Sequence, residues 1–381
     1  MIERNIEKHL IDLSGEFRSL VVLGPRQSGK STLVKKVFQN KPYVSLENPD
    51  ERLLAENDPR AFLSRFPKGA ILDEVQRTPR IFNYLQEIID NHEDDGLFIL
   101  TGSNNFMLQN NISQSLAGRV GIVDLLPLCV QEIDRFGIDG LSLNDLVFRG
   151  AYPEIYDKQR KPSLWYQAYI RTYVERDVRL IKNIEDTLLF TKFLKICAGR
   201  VGQMVNASAI SNECGIDMRT VNSWLSVLES SYVIKLLPPY FKSFNKRIVK
   251  SPKLYFYDTG LACALLGIKD TNELSLSHFR GSLVENFVIM EIQKQISNAG
   301  SADGLYYWRD SNGLEVDLII DKGSNFIPVE IKSAATFSYD FMKSIEKFNQ
   351  YSDTESGIVI YDGEMEFTSK EGIQVKNWRH L

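Results

Sequence analysis

The sequence predicts an α/β chain in three modules: a parallel-sheet core around a phosphate-binding loop, a winged-helix segment, and a second, smaller α/β domain. Three observations predict it. Gly24-Pro25-Arg26-Gln27-Ser28-Gly29-Lys30-Ser31 fills the pattern G-x-x-x-x-G-K-[ST] between an apolar strand, Ser19 to Leu23, and a helical run, Ser31 to Phe38. Ser211, Gly215 and Val221 have the spacing of a helix-turn-helix, which needs a small residue, a glycine turn and an apolar anchor. Near the C-terminus a helix, a hairpin and a third strand bring Glu285, Asp317, Glu330 and Lys332 into one pattern.

The first module is read from its loop outward. Gly24 and Gly29 let the backbone curl so that the loop's N–H groups, from Arg26 to Ser31, converge on phosphate oxygens. Lys30 would place a charge on the β/γ-phosphates of ATP, Ser31 a hydroxyl on Mg²⁺, and the helix that follows, with Thr32 in its first turn, would aim its positive end at the anion. A second strand, Pro42 to Leu46, precedes a charged helical region. Ala70-Ile71-Leu72 then ends in Asp73-Glu74, a strand expected to lie beside the first, with Asp73 reaching Mg²⁺ and Glu74 polarising water against the γ-phosphate. A third buried strand, Gly96 to Leu100, leads to Thr101, Ser103 and Asn104, which either orient that water or form an ordinary turn. Arg119 is either the charge that stabilises the transition state, in cis or from a neighbouring subunit, or a surface ion pair.

Together, the Gly24–Ser31 loop, Leu72-Asp73-Glu74-Val75-Gln76, Thr101-Gly102-Ser103 and Leu116-Ala117-Gly118-Arg119 resemble the archaeal/bacterial AAA-type ATPases whose C-terminal half is a conserved domain of unknown function. The resemblance covers essentially the whole chain. It implies Thr101 or Asn104 as the sensor and Arg119 as an arginine finger, which in trans would require a homo-oligomer.

Composition narrows the class. The chain has 381 residues, 43% hydrophobic and 25% charged, and a net charge of -4, so any nucleic-acid role must come from a local basic patch. Cys129, Cys197, Cys214 and Cys263 form no C-x-x-C pair, which favours a reducing compartment. No window approaches 18 uninterrupted apolar residues, and the charged N-terminus lacks a signal-peptide core. The expectation is a cytoplasmic protein without a membrane partner.

Residues 1–135 are assigned to the ATPase core and 136–189 to a helical linker or lid, helical in pattern from Ser163 to Ile184. The winged-helix segment spans 190–258. Arg219, Asn222 and Ser223 would project from its second helix toward base edges. Between Lys235 and Lys253 lie Lys242, Lys246, Arg247 and Lys250 with no acid, interleaved with Tyr240, Phe241 and Phe244, a composition suited to DNA phosphates and stacking. A solvated surface or a protein contact is the plainer reading of the same residues.

Residues 259–381 form the last domain. Glu330 and Lys332 share one face of a strand, and Asp317 lies on the strand before it. Two carboxylates suit Mg²⁺, and a lysine suits a developing anion. The spacing resembles the PD-(D/E)xK nuclease signature, with Glu285 as the helical acid and Val316 where a proline often stands. That resemblance implies metal ligation by Glu285, Asp317 and Glu330, with Lys332 catalytic. The sequence thus supports an ATPase coupled to DNA binding and metal-dependent cleavage. Its alternative is a nucleotide-gated DNA- or protein-binding module without cleavage.

Overall fold

The computed structural model describes residues 2–103, 116–138, 140–178, 186–240, 251–323, 325–352 and 354–381. Asn104 and the central basic stretch, with Phe241, Lys242, Phe244, Lys246, Arg247 and Lys250, lie outside them.

Five short apolar runs become one parallel sheet: β1 (Ser19–Leu23), β2 (Tyr43–Ser45), β3 (Ile71–Asp73), β4 (Phe98–Thr101) and β5 (Val120–Asp124), in the order β2-β3-β4-β1-β5. Every residue of β1, β3 and β4 is buried, as strands covered on both faces require. Alternation along β1 divides the cover: Val21 and Leu23 join one apolar cluster with Phe82 and Leu100, while Leu20 and Val22 join another with Leu33 and Ile99.

One expectation is corrected here. The strand ending in Asp73 does not lie beside β1; β4 is inserted between them, pairing Val21 with Leu100 on one side and Leu72 with Leu100 on the other. Strand order follows from how the crossover helices pack, which the order of strands along the chain does not encode. The insertion sets Thr101, at the end of β4, between the phosphate loop and Asp73.

The middle of the chain is mostly helical. The helix Pro162–Tyr169 continues as Ile170–Val178 in a wider π coil. Helices Thr187–Ala198, Ala207–Cys214 and Met218–Ser230 follow, with Phe190 and Phe193 packed edge-on against Trp224, ring centroids 5.3 Å apart. Gly215, at φ +78°, ends the second helix, and the Ser211 hydroxyl donates to the Ile216 carbonyl at 2.5 Å. Asp217 caps the third. An antiparallel pair then forms from β6 (Ile234–Leu237) and β7 (Lys253–Phe256).

The second sheet has the order β12-β13-β11-β10-β9-β8. β8 (Gly304–Arg309), β9 (Glu315–Asp321) and β10 (Phe326–Lys332) form an antiparallel meander; β11 (Gly357–Tyr361) and β13 (Ile373–Asn377) extend it in parallel, and β12 (Phe367–Thr368) edges it. The helix Arg280–Ala299 packs against it. One buried apolar cluster runs from Leu128 to Trp378, so the middle helices, the β6–β7 pair and this second sheet share a core.

Candidate functional site

The phosphate loop is shaped by its glycines and by contacts from far along the chain. At Gly24, φ +143°, a Cβ would stand 2.2 Å from the Leu125 carbonyl oxygen, so only glycine lets the loop cross the end of β5. Gly29, φ +96°, turns the chain into the helix Lys30–Val37, whose first N–H groups have no intrahelical acceptor. They face a cleft of about 630 Å³ lined by Arg26, Gln27, Lys30, Ser31, Thr32, Asp73 and Glu74, and at its far side by Ile2, Phe136 and Pro153. These are the donors and the apolar wall that a nucleoside triphosphate requires.

Lys30 is buried and its Nζ donates to the carbonyls of Gly24 and Pro25, both at 2.9 Å. Burial lowers its amine to about 8, against the upward pull of Glu74 and Asp73. Phosphate binding needs the ammonium. ATP affinity is therefore expected to fall as pH rises past 8, by about tenfold per pH unit, in equilibrium titrations with a fluorescent analogue; a flat profile to pH 9.5 would count against it.

Asp73 is the centre of a polar cluster. Ser31 Oγ donates to its Oδ1 and Oδ2 at 2.9 and 3.0 Å, Tyr43 to Oδ2 at 2.6 Å, and Thr101 Oγ1 to Oδ1. Thr101 is fully buried and donates to Asp73. Glu74 adopts φ +57°, a left-handed conformation that a non-glycine residue holds only where its surroundings fix it. Its carboxylate accepts from Ser103 at 3.2 Å and from Gln76. Ser31 and Asp73 supply hard oxygen donors beside the phosphate cradle, the set that fits Mg²⁺ carried by a nucleotide.

Arg4, Tyr43 and Gln76 were missed by the sequence reading. Arg4 is buried, its Nε 2.9 Å from Glu132 Oε1, Nη1 3.0 Å from the Ser28 carbonyl and Nη2 2.8 Å from that of Leu126. No local pattern marks an arginine whose partners are up to 128 residues away.

Of the readings of Arg119, the surface ion pair fits the structure and the finger in cis does not. Arg119 pairs with Asp90, at 3.0 Å through Nη2, just before Val120, which lies level with Ser19 at the start of β1. That is the end of the sheet opposite the phosphate loop, so Arg119 cannot serve its own chain's site.

The second constellation does converge. Register between β9 and β10 ends at Val329↔Leu318, which brings Glu330 level with Asp317. Asp317 Oδ2 accepts from the Ile331 N–H at 2.8 Å; Glu330 accepts from Ser344 at 2.6 Å and pairs with Lys332. Burial, then the charge of Asp317, pushes Glu330 up to about 7; burial also raises Asp317. Glu285 behaves differently from its expected role. Its Oε1 accepts from Tyr255 at 2.5 Å and from Lys253 at 3.1 Å, which occupies the carboxylate with an amine and a phenol. Among the described residues, no group of three or more His, Cys, Asp or Glu side chains is placed to hold a metal ion.

The basic stretch is corrected at both ends. Lys253 is 2% exposed and ion-paired, and Lys235 is half-buried, its amine lowered by burial against the upward pull of Glu229 and Asp124. Tyr240 packs edge-on against Phe326 and Phe348. A lysine or tyrosine in an apolar strand neighbourhood, as in Lys253-Leu254-Tyr255-Phe256, was the available signal. Arg219 and Asn222 are exposed on the helix Met218–Ser230, and Ser223 is half-buried. No described helix is long and apolar enough to cross a membrane.

Residues 16–134 match a family described as an AAA domain, and residues 140–272 and 280–381 match two domains of unknown function, DUF8612 and DUF4143. Over 326 residues the chain is 32% identical to the uncharacterized protein Rv2008c of Mycobacterium tuberculosis, covering 84% of this chain and 71% of that protein. It belongs to the Rv2008c family. The uncharacterized protein MJ1544 of Methanocaldococcus jannaschii is 24% identical over 361 residues, 84% of this chain and 75% of its own. Among solved structures, the Walker-type ATPase PABY2304 of Pyrococcus abyssi is similar at 15% identity and a TM-score of 0.45, over 70% of this chain and 96% of that one. In this Rv2008c-family chain the matched AAA domain contains Lys30, Ser31, Asp73 and Glu74, which supports a P-loop ATPase core.

Proposed function

We propose that the chain is a Mg²⁺-dependent ATPase whose nucleotide state governs metal-dependent cleavage of bound DNA. Lys30 holds the β/γ-phosphates, and Ser31 with Asp73 would hold Mg²⁺, which when bound offsets phosphate charge. Glu74 takes a proton from the attacking water, its carboxylate held by Ser103 and Gln76. The observation that carries the reading is Asp73, fixed by Ser31, Tyr43 and Thr101 at the mouth of the loop, with Glu74 turned beside it. Arg219 and Asn222, exposed on the third helix of a winged-helix-like segment, support a DNA contact. Asp317 and Glu330 would hold the second site's metal ion, and Lys332 would stabilise charge on the scissile phosphate. Oligomerisation enters only if Arg119 reaches a neighbouring copy's nucleotide.

A second reading has a specific observation in its favour: Lys253, buried among the acids, supports a gated DNA- or protein-binding module that does not cut. Incubating single-stranded, duplex and branched DNA with ATP and Mg²⁺ or Mn²⁺ separates the two. Cleavage expected of wild type is lost in Glu330→Gln, and its ATP dependence in Lys30→Ala. ATP turnover with every DNA intact establishes the second reading instead.

A further inference from the structure

With Arg119 at the far end of the sheet, the cation that phosphoryl transfer calls for must come from elsewhere, and the phosphate loop itself carries one. Pro25, Arg26, Gln27 and Ser28 form a turn. The Ser28 N–H donates to the Pro25 carbonyl at 3.3 Å, and Gln27 stands at φ +65°, a left-handed value often taken by the third residue of a β-turn. Arg26, second in the turn, is half-buried and lines the cleft with Lys30, Asp73 and Glu74. The loop follows the end of β1 as Glu74 follows the end of β3, and the strands of this sheet are parallel, so Arg26 and Glu74 share one edge. The Tyr173 ring centroid lies 6.0 Å from the Arg26 guanidinium, and the Tyr169 hydroxyl 3.5 Å from the Arg26 carbonyl oxygen, so two tyrosines back the turn. Burial does most to lower the Lys30 amine; of the charges around it, Glu74 and Asp73 pull it up and Arg26 pushes it down. Two cations thus repel each other across one cleft, and a triphosphate between them relieves it. Arg4, Lys36 and Lys158 also line the cleft, against Glu132, Glu7 and Glu154 at 2.9, 2.6 and 3.3 Å. What sets Arg26 apart is its place on the loop.

We propose that Arg26 is a catalytic residue, its guanidinium donating within its own chain to the γ-phosphate oxygens that carry the charge of the transition state. This rests on the ATPase reading of the loop. In the step it serves, the oxygen of water bonds to the γ-phosphorus as the bond from that phosphorus to the β–γ bridging oxygen breaks. The bridging oxygen keeps the electron pair and departs with ADP, and Glu74 takes the proton of the water. Arg26 stays protonated throughout, as a guanidinium does in proteins. Its planar fork of donors meets two phosphate oxygens at once, which the point charge of Lys30 does not. An arginine borne on the loop's own turn lets one chain complete the reaction, without Arg119 from a neighbouring copy.

The test compares the wild-type chain with Arg26→Ala and Arg26→Lys. Single turnover of ATP gives the rate, a non-hydrolysable ATP analogue the ground-state affinity, and ADP with aluminium fluoride the affinity for a transition-state mimic. Arg26→Ala is expected to slow turnover about a thousandfold, the low end for an arginine in this role. Its affinity for the ATP analogue should change by less than about fivefold, while its affinity for the mimic falls about as far as the rate. Arg26→Lys should keep less than about a tenth of the wild-type rate, because an ammonium lacks the fork. Wild-type turnover per chain should not depend on protein concentration, and Arg119→Ala should leave it unchanged. Three results overturn the inference while ATP hydrolysis stands. They are equal losses of analogue and mimic binding in Arg26→Ala, an Arg26→Ala rate within about fivefold of wild type, and turnover that rises with protein concentration and is lost in Arg119→Ala. A wild type that does not hydrolyse ATP removes the ATPase reading and the inference together. If near-UV circular dichroism shows Arg26→Ala unfolded, Arg26→Lys decides alone, and a rate above about a tenth of wild type overturns the inference.

Discussion

A Glu74→Gln protein is expected to bind ATP as the wild type does and to hydrolyse it about two to three orders of magnitude more slowly, the scale of a lost general base. Glutamine keeps the shape and the partners that hold the side chain but cannot accept the proton of the attacking water. Binding measured at pH 6.5, where Lys30 stays an ammonium without the upward pull of Glu74, is retained because Ser31 and the loop N–H groups do not depend on Glu74. The left-handed backbone at this residue, φ +57°, costs about 1–3 kcal/mol, and the hydrogen bonds from Ser103 and Gln76 aim the carboxylate it carries. Single-turnover hydrolysis beside a nucleotide-binding titration is the check. Parallel loss of binding and turnover would mean that Glu74 shapes the site without acting in the reaction.

The second large effect is expected at Arg4. Truncation to alanine leaves Glu132, whose side chain is fully buried, without its cation, a change on the order of 3–5 kcal/mol. The carbonyls of Ser28 and Leu126 lose a donor as well. Stability and nucleotide binding should fall together, and a double variant separates the two. Arg4→Met/Glu132→Leu removes both charges, so it should recover most of the thermal stability. It should not recover nucleotide affinity, because nothing then braces the Ser28 carbonyl beneath the phosphate loop. Recovery of both would reduce Arg4 to a stabilising ion pair.

These two residues mark where the sequence was readable. The place of Glu74 at the end of β3 was legible because its pattern is local: an apolar strand, two acids and a phosphate loop upstream lie within one stretch of chain. Arg4 was not, because its partners are Ser28, Leu126 and Glu132, and only the fold brings them together. The five strands of the first sheet could be found from their apolar runs, yet the place of β4 between β1 and β3 could not, since neighbours in a parallel sheet are chosen by crossover packing. Alternation along β10 correctly put Glu330 and Lys332 together, and hairpin register brought Asp317 level. Lys253 was misread because charge is usually a sign of exposure; its apolar strand neighbours carried the contrary signal. The readings of Arg119 stayed open because a motif gives order along the chain and not which end of a strand a residue occupies.

The helix Arg280–Ala299 bears on how this gene could be cut or recombined. Near its start it presents Glu285 to the acidic site, and farther along Glu291 accepts from the Val130 N–H at 2.8 Å while Lys294 donates to the Leu128 carbonyl at 2.8 Å. Val130 is two residues from Glu132, the partner of Arg4 beneath the phosphate loop. Six to nine residues of helix separate these contacts, a span of about 9–14 Å. A fragment ending between the matched regions, at 272 to 280, would therefore leave buried backbone groups beside the nucleotide site without partners, at about 1–3 kcal/mol each. Splicing a foreign C-terminal half onto this ATPase would need to carry Glu291 and Lys294 along with it.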